Sequence, residues 1–273
     1  MKLSLLGVVT AVLGAAPVGA ETVEPAPPPA RPAPGLTLPQ GSFALTLVTE
    51  VNTSVGKLGE PFSLAPDLAV GVTPDLTLSV VHSTFGITGF RGSAGRGLCL
   101  AGREHGCPHV YDNAGFETLY SLRRGAFAIA ANLGVHALKI AAGHHDLKAG
   151  FKLRYATGRV SVTALPSVFV ALTERDDAMT PNRDLVFVPA VLAYKVTPAF
   201  AVAVATGVKG PIEGFGKGYE VAVALGLQVA ISPTVGVGGT WAHGKITGGE
   251  ATLPDDNGFD FRALHLWVTL TLP

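Results

Sequence analysis

Apolar and polar side chains alternate along most of this chain. In the stretch DLKAGFKLRY, residues 146–155, every second residue is apolar and those between them are charged or glycine. The side chains of a strand point alternately to its two faces, so this pattern predicts a two-faced β-strand. Such a strand suits a soluble sandwich, whose apolar face meets a core. It suits equally well a membrane barrel, whose apolar face meets lipid.

The same alternation, bounded by turn residues, predicts about twelve strands. They lie near residues 42–52, 61–73, 76–87, 115–123, 126–137, 145–156, 159–173, 185–195, 199–208, 218–231, 234–245 and 259–271. Every second connection is tight, at 73–75, 123–125, 156–159, 196–199 and 232–234. Most of the connections between them are longer, at 53–60, 88–114, 138–144, 174–184, 209–217 and 246–258.

This sorting of the connections by length separates the two interpretations. Short and long connections alternate, the strand number is even and both termini lie on the short-turn side, as in outer-membrane barrels. The sequence therefore predicts an all-β fold, a closed antiparallel transmembrane β-barrel with short periplasmic turns and longer extracellular loops. Ten or fourteen strands remain the alternative, because Pro61 and Pro66 weaken the second predicted strand.

The N-terminal region predicts export. Residues 1–20 combine Lys2, an apolar run and small residues that end at Ala20, the pattern of a cleaved secretory signal peptide. Residues 21–41 are rich in proline, which disfavours helices and interior strands and predicts an extended periplasmic leader. Residues 42–273 would then form the barrel as one domain.

Composition favours a β-barrel over a helical membrane protein and over a nucleic-acid-binding protein. Apolar residues make up 48% of the chain, yet no segment after the signal peptide approaches the roughly 18 uninterrupted apolar residues of a membrane helix. The formal net charge is zero, so no nucleic-acid partner is predicted. Aromatic residues lie beside both sets of connections, as interfacial belts would. They are Tyr120, Phe127, Tyr155, Tyr194 and Phe200 near tight turns, and Phe85, Phe116, Phe187, Tyr219, Trp241 and Phe259 near long loops.

With its signal peptide, alternating strands, tight TPD, ATGR and SPT turns and long outer loops, the chain resembles porin-like outer-membrane β-barrel proteins of Gram-negative bacteria. The resemblance covers about residues 42–273 and rests on architecture. It implies an outer-membrane location, contact with membrane lipid and lipopolysaccharide, and insertion by the barrel-assembly machinery. We further predict that the barrel is monomeric. Such proteins usually end in an aromatic residue, whereas this chain ends in Pro273.

Bulky apolar residues are expected to face lipid, so the opposite parity is expected to face the lumen. This predicts ten polar lumen-lining residues: Glu50, Asn52, Glu117, Asn132, His136, Lys148, Lys152, Arg154, Glu220 and Gln228. Many other inward positions are Ala, Gly, Ser or Thr, and a barrel of about twelve strands is wider than the eight-stranded type that its own side chains fill. Together these features favour a water-filled channel lined by charges of both signs.

The predicted function is a channel for passive or weakly selective passage of small solutes. A transporter of hydrophobic compounds, which would need a more apolar lumen, is one alternative. A structural or adhesive barrel without transport is the other, and it would follow if Glu–Lys pairs closed the lumen. An enzyme is not expected, because no nucleophile motif such as G-x-S-x-G occurs.

Two clusters of metal-binding residue types have simpler interpretations. Cys99 and Cys107 lie in the longest loop of an exported protein, which predicts one disulfide, since zinc would require thiolates. His144 and His145 are neighbours on a predicted strand, so they point to opposite faces and are poorly placed to share an ion. No metal or other cofactor is therefore predicted.

Overall fold

The computed structural model describes residues 35–273 except 55, 57, 87, 89–90, 93–97, 102–110, 112, 180 and 250–261. The described strands are β1 (Phe43–Asn52), β2 (Phe62–Thr73), β3 (Leu76–Val81), β4 (Thr84–Phe85), β5 (Arg91–Gly92), β6 (Leu98–Ala101), β7 (Ala114–Arg123), β8 (Phe127–Lys139), β9 (His144–Thr157), β10 (Val160–Ala164), β11 (Ser167–Ala171), β12 (Leu185–Lys195), β13 (Phe200–Pro211), β14 (Glu220–Ala230), β15 (Val235–Gly248) and β16 (Arg262–Leu272). A 3₁₀ turn at Ile140–Ala142 and the short helix α1 (Phe215–Gly218) lie in two connections. In the described ranges, no helix is long and apolar enough to cross a membrane.

One antiparallel sheet of fourteen strands closes on itself. Its hydrogen-bonded order is β1-β16-β15-β14-β13-β12-β10-β9-β8-β7-β3-β2, and β2 pairs in turn with β1. Strands β10 and β11 share one position between β9 and β12, because the backbone leaves strand geometry at Leu165 and Pro166. Strand β6 pairs with β2 beyond the end of β3. The wall thus has twelve positions, and the predicted closed antiparallel barrel is confirmed.

The first and last strands complete the closure. They pair in unbroken register from Phe43 opposite Leu272 to Asn52 opposite Ala263. Pro273 directly follows β16, so its missing N–H costs the ladder no hydrogen bond. The terminal proline is therefore compatible with a closed wall.

Strand β3 is shorter than the strand predicted at residues 76–87. Hydrogen bonds to Asp67 on β2 explain why. The backbone N–H groups of His82 and Ser83 donate to its carboxylate at 2.8 and 2.9 Å. Asn113 adds a hydrogen bond from its amide to the carbonyl of His82 at 2.9 Å. These side-chain bonds satisfy backbone groups that would otherwise seek ladder partners. The chain leaves the wall after Val81, and β6 takes the adjoining place beside β2.

The outer surface of the barrel is apolar. On β14, Leu225 and Leu227 are 56% and 50% exposed, whereas Ala222 and Ala224, of the opposite parity, are buried. The same contrast recurs around the wall, and a continuous apolar surface of this extent is compatible with lipid rather than with water. Residue parity therefore separates a lipid-facing surface from a lumen, which excludes the soluble sandwich.

Aromatic side chains mark the short-turn end of this surface. Tyr120, Phe127 and Tyr155 are exposed close to the tight turns, where an interfacial belt is expected. At the other end, Phe187 does not join a belt. Its ring packs against the buried Phe169 with a centroid distance of 5.2 Å, because both residues have inward parity on neighbouring strands.

Candidate functional site in the barrel lumen

The ten polar residues predicted to line the lumen all have the inward parity of their strands. Six of them are buried: Glu50, Asn52, Glu117, Asn132, His136 and Lys148. The other four are Lys152, Arg154, Glu220 and Gln228, which are more accessible. The structure does not gather them into one site, and only some of them lie close together.

The tightest group surrounds the carboxylate of Glu117 on β7. Lys148 on β9 donates a hydrogen bond to Glu117 Oε1 at 3.0 Å, and Asn132 on β8 donates to Oε2 at 3.2 Å. His136 Nε2 lies 3.3 Å from Oε1. Glu117 and Lys148 are only 6% and 4% exposed, so the charges are held by each other and by hydrogen bonds rather than by bulk water.

A glycine allows this pair to form. Glu117 and Lys148 lie on either side of Gly134, which is in register with both of them. A Cβ atom on Gly134 would lie 2.8 Å from the carbonyl oxygen of Phe116 and 3.0 Å from Glu117 Cγ. Because Gly134 has no side chain, the Glu117 carboxylate and the Lys148 ammonium can meet across strand β8.

Aromatic rings pack beside the Glu117 group. The Lys148 ammonium lies 5.8 Å from the centroid of the Phe169 ring, within the range of a cation–π contact. The His136 ring meets Phe169 edge-on at 5.7 Å. Phe169 and Phe187 were not among the residues predicted to line the lumen, although their parity on β11 and β12 could have indicated it.

Two further acid–base contacts lie on the inner face of the described strands. Glu50 contacts His265 Nε2 at 3.1 Å between β1 and β16, and Lys209 contacts Glu220 at 2.9 Å between β13 and β14. Both pairs join neighbouring strands, and the Glu117–Lys148 pair joins β7 and β9, which are separated by β8. None of these three pairs crosses the lumen. His265 and Lys209 were missed in the sequence, His265 despite its inward parity and Lys209 because it falls in a predicted loop.

Two cavities follow one another along the lumen. The first, of about 190 Å³, is lined by Glu117, Asn132 and Lys148. The second, of about 490 Å³, is lined by Lys152 and Arg154 together with small residues of β10, β12, β13 and β14. Lys152 contributes to both linings, so the cavities adjoin. The small inward residues predicted from the sequence provide the space of the larger one.

The end of the proline-rich leader lies at the periplasmic mouth. The Leu38 N–H donates to the hydroxyl of Thr77, a buried inward residue of β3, at 2.8 Å. The Thr37 hydroxyl donates to the carbonyl of Pro74 at 2.9 Å. Leu36 lines the larger cavity. Residues 35–42 are therefore bound to the barrel, and the preceding part of the predicted leader and the signal peptide lie outside the described residues.

The cysteine and histidine clusters are placed as follows. Cys99 lies in β6, and Cys107 lies outside the described residues, so their disulfide stays a prediction. His144 is buried on the inner face, whereas His145 is exposed, with Nδ1 2.9 Å from the Gly143 carbonyl oxygen. Over the described ranges, no group of three or more His, Cys, Asp or Glu residues is placed to hold a metal ion.

We expect Cys99 and Cys107 to resist alkylation in the unreduced protein and to react after reduction, because a disulfide protects both thiols. The number of maleimide–polyethylene glycol adducts on a denaturing gel measures this. A Cys99→Ser variant is the control, since its remaining thiol should react without reductant. Two adducts on the unreduced parent protein would contradict the prediction.

The closed twelve-stranded wall, with its apolar exterior and partly polar interior, has the architecture of an outer-membrane porin. Among solved structures, it is similar to the NanC porin (TM-score 0.57, 10% identity, 84% of this chain and 100% of that chain). It is also similar to the KdgM porin (0.51, 8%, 84% and 99%) and to an outer-membrane channel from Pseudomonas putida F1 (0.50, 12%, 90% and 99%). At these identities the similarity shows the fold alone. No protein-family model matches the chain, and no curated protein matches it.

Proposed function

We propose that this protein is an outer-membrane channel for small solutes. The observation that carries the proposal is the pair of adjoining cavities along the lumen, lined by polar and small side chains. The described acid–base pairs on the inner face agree with it, because each joins strands on one side of the wall rather than crossing the lumen. The porin-like fold agrees with this function.

The charges of the larger cavity favour a weak preference for anions. Lys152 and Arg154 line it, and Lys148 lies 3.0 Å from Glu117 beside the smaller cavity. In a narrow aqueous pore, fixed charges act on passing ions at distances comparable to the screening length, about 8–10 Å at ordinary ionic strength. Lys152 and Arg154 are therefore expected to contribute to ion selectivity through their position in the lining of the larger cavity.

Planar-bilayer conductance tests the proposal. The purified barrel is expected to produce discrete conductance steps, with a reversal potential in a salt gradient that indicates weak anion preference. The double variant Lys152→Glu and Arg154→Glu should shift that reversal potential toward cation preference, since it reverses the charge of the cavity. Lys148 is left unchanged, because a glutamate there would face Glu117 in a buried site.

The control is the double variant Arg124→Glu and Arg159→Glu, which changes the net charge by the same amount as Lys152→Glu with Arg154→Glu. Both residues are exposed in periplasmic turns and do not line either cavity. The reversal potential should stay close to that of the parent. An absence of conductance steps would refute the channel. Equal shifts in the two double variants would place Lys152 and Arg154 outside the conduction path.

The proposal includes the setting in which the channel works. The apolar exterior supports contact with outer-membrane lipid and lipopolysaccharide. One chain supplies all twelve described positions of the wall, so closing it requires no strand from a neighbouring copy, which supports a monomer. Cleavage of a signal peptide at residues 1–20 and insertion by the barrel-assembly machinery complete the proposal.

A further inference from the structure

Positive charge is distributed unevenly around the periplasmic end of the wall. Arg123 ends β7 and Arg124 follows it, Arg159 lies in the turn from β9 to β10, and Lys195 ends β12. All four residues are exposed. The three turns that carry them are consecutive around the wall, because β7, β8, β9, β10, β12 and β13 follow one another in its order. These four cations therefore lie along one half of the periplasmic rim, which we call the basic arc.

The tight turns on the other half of the rim contain no cation. Residues 231–234, between β14 and β15, are uncharged, and the turn from β2 to β3 contains only the acid Asp75. Asp75 Oδ1 accepts a hydrogen bond from Arg124 at 2.7 Å. Four cations against one carboxylate leave the five tight turns with a net positive charge, and the basic arc carries that charge.

Exposed apolar side chains of the outer face run beside the basic arc. Phe127 on β8 is in register with Tyr155 on β9, and Val160 on β10 is in register with Tyr194 on β12. All four of these side chains are exposed. The guanidinium of Arg123 lies 5.5 Å from the centroid of the Phe127 ring. The first cation of the arc is thus in contact with the aromatic belt.

The other cations lie at the same level of the wall. Arg159 directly precedes Val160, and Lys195 directly follows Tyr194. The Lys195 N–H donates to the Arg159 carbonyl at 2.8 Å, which holds the two turns side by side. Aromatic belts of membrane proteins lie at the level of the lipid headgroups. Cations that adjoin such a belt therefore lie at the depth of the lipid phosphates.

We propose that the basic arc binds the headgroups of anionic phospholipids in the periplasmic leaflet, with phosphates at Arg123, Arg159 and Lys195 and acyl chains against the neighbouring apolar band. Phosphate oxygens accept charge-assisted hydrogen bonds from arginine and lysine. Each basic residue near an anionic membrane surface strengthens the attraction about fivefold. A zwitterionic headgroup has no net charge and gains less. The inference goes beyond the proposed channel function and does not depend on conduction.

A tryptophan placed in the belt measures which lipid lies beside it. The substitutions Trp241→Phe and Trp267→Phe remove both native tryptophans, and Tyr155→Trp then introduces a single reporter beside the basic arc. The barrel is refolded into phosphatidylcholine vesicles that contain either brominated phosphatidylglycerol or brominated phosphatidylcholine. Bromine atoms quench tryptophan fluorescence at short range, so the quenching by the two lipids gives their relative binding constant at the reporter.

Phe43→Trp in the same background is the matched reporter. Phe43 is exposed at the start of β1, at the same end of the barrel and five wall positions from β9. Beside the basic arc, phosphatidylglycerol is expected to bind about 5- to 25-fold more tightly than phosphatidylcholine, the effect of one or two cations within reach of a headgroup. At the Phe43→Trp reporter, the two lipids should quench about equally.

Charge variants locate the site on the arc. Arg159→Gln with Lys195→Gln should lower the preference for phosphatidylglycerol at the Tyr155→Trp reporter about fivefold. Arg183→Gln with Lys217→Gln is the control, because it also removes two exposed cations, but from the long connections at the opposite end of the barrel. This control should leave the preference unchanged. Heat-modifiable migration on gels verifies that each variant is folded.

Equal binding of the two lipids at the Tyr155→Trp reporter, or the same preference at both reporters, would overturn the inference. A preference that the two double variants lower equally would also overturn it, because net charge rather than the basic arc would then be responsible. A barrel that conducts ions without a lipid preference refutes the lipid site and leaves the channel intact. A barrel with the expected preference but no conductance supports the lipid site and refutes the channel function.

Discussion

Replacing Lys148 with methionine is expected to lower the free energy of unfolding by about 3–5 kcal/mol, the usual cost of leaving one member of a buried ion pair uncompensated. Glu117 would keep its contacts with Asn132 and His136 but lose the ammonium at 3.0 Å. Its side chain is 8% exposed, so water in the adjoining cavity would replace the lost partner only in part. Urea unfolding of the folded barrel in lipid vesicles, followed by tryptophan fluorescence, measures the difference.

An exposed ion pair in the same protein provides the control. Arg124 and Asp75 pair at 2.7 Å, with side chains 45% and 48% exposed. Arg124→Ala should change the free energy of unfolding by no more than about 1 kcal/mol, because water and ions already screen this pair. The double variant Glu117→Leu and Lys148→Met should be less destabilised than the sum of its single variants. Additive losses would show that the buried pair is not coupled.

Replacing Gly71 with alanine is expected to increase single-channel conductance by releasing the leader from the periplasmic mouth. A methyl group on Gly71 would overlap the carbonyl of Pro39, and Gly71 also exchanges backbone hydrogen bonds with Gly41 and Ser42. Overpacking of this kind costs about 1–3 kcal/mol, enough to weaken the docking of residues 35–42 by about 5- to 150-fold. Leu36 would then leave the larger cavity, and the mouth would widen.

Gly236→Ala is the matched control. Gly236 lies at the start of β15, next to a tight turn, and has room for a methyl group. The nearest atom to a Cβ there is the Val229 carbonyl oxygen at 4.0 Å. Its conductance should equal that of the parent protein. Deleting residues 21–41 should reproduce the increase seen with Gly71→Ala. If neither change raises conductance, residues 35–42 do not constrict the pore.

The local pattern of the sequence was enough for the architecture of the wall. The alternation of side chains along a strand indicates which face is apolar, and turn residues indicate where a strand ends. Both signals come from residues that are close together in the sequence. The twelve wall positions, the alternation of connections and the inward parity of residues such as Lys152 and Gln228 could therefore be predicted. The early end of the third strand could not, because it depends on hydrogen bonds from His82 and Ser83 to Asp67 on another strand.

The contacts within the lumen were decided only by the tertiary structure. Glu117 meets Lys148 because both are in register with Gly134, and register is set by the pairing of whole strands rather than by any local pattern. Trp267 and Arg154 line the same cavity because closure of the twelve wall positions brings β16 opposite β9. The sequence by itself determined which side chains point inward, since that follows from a period of two. Which of them meet, and across what distance, required the closed barrel, because residues far apart in the chain become neighbours only when the sheet joins its own edge.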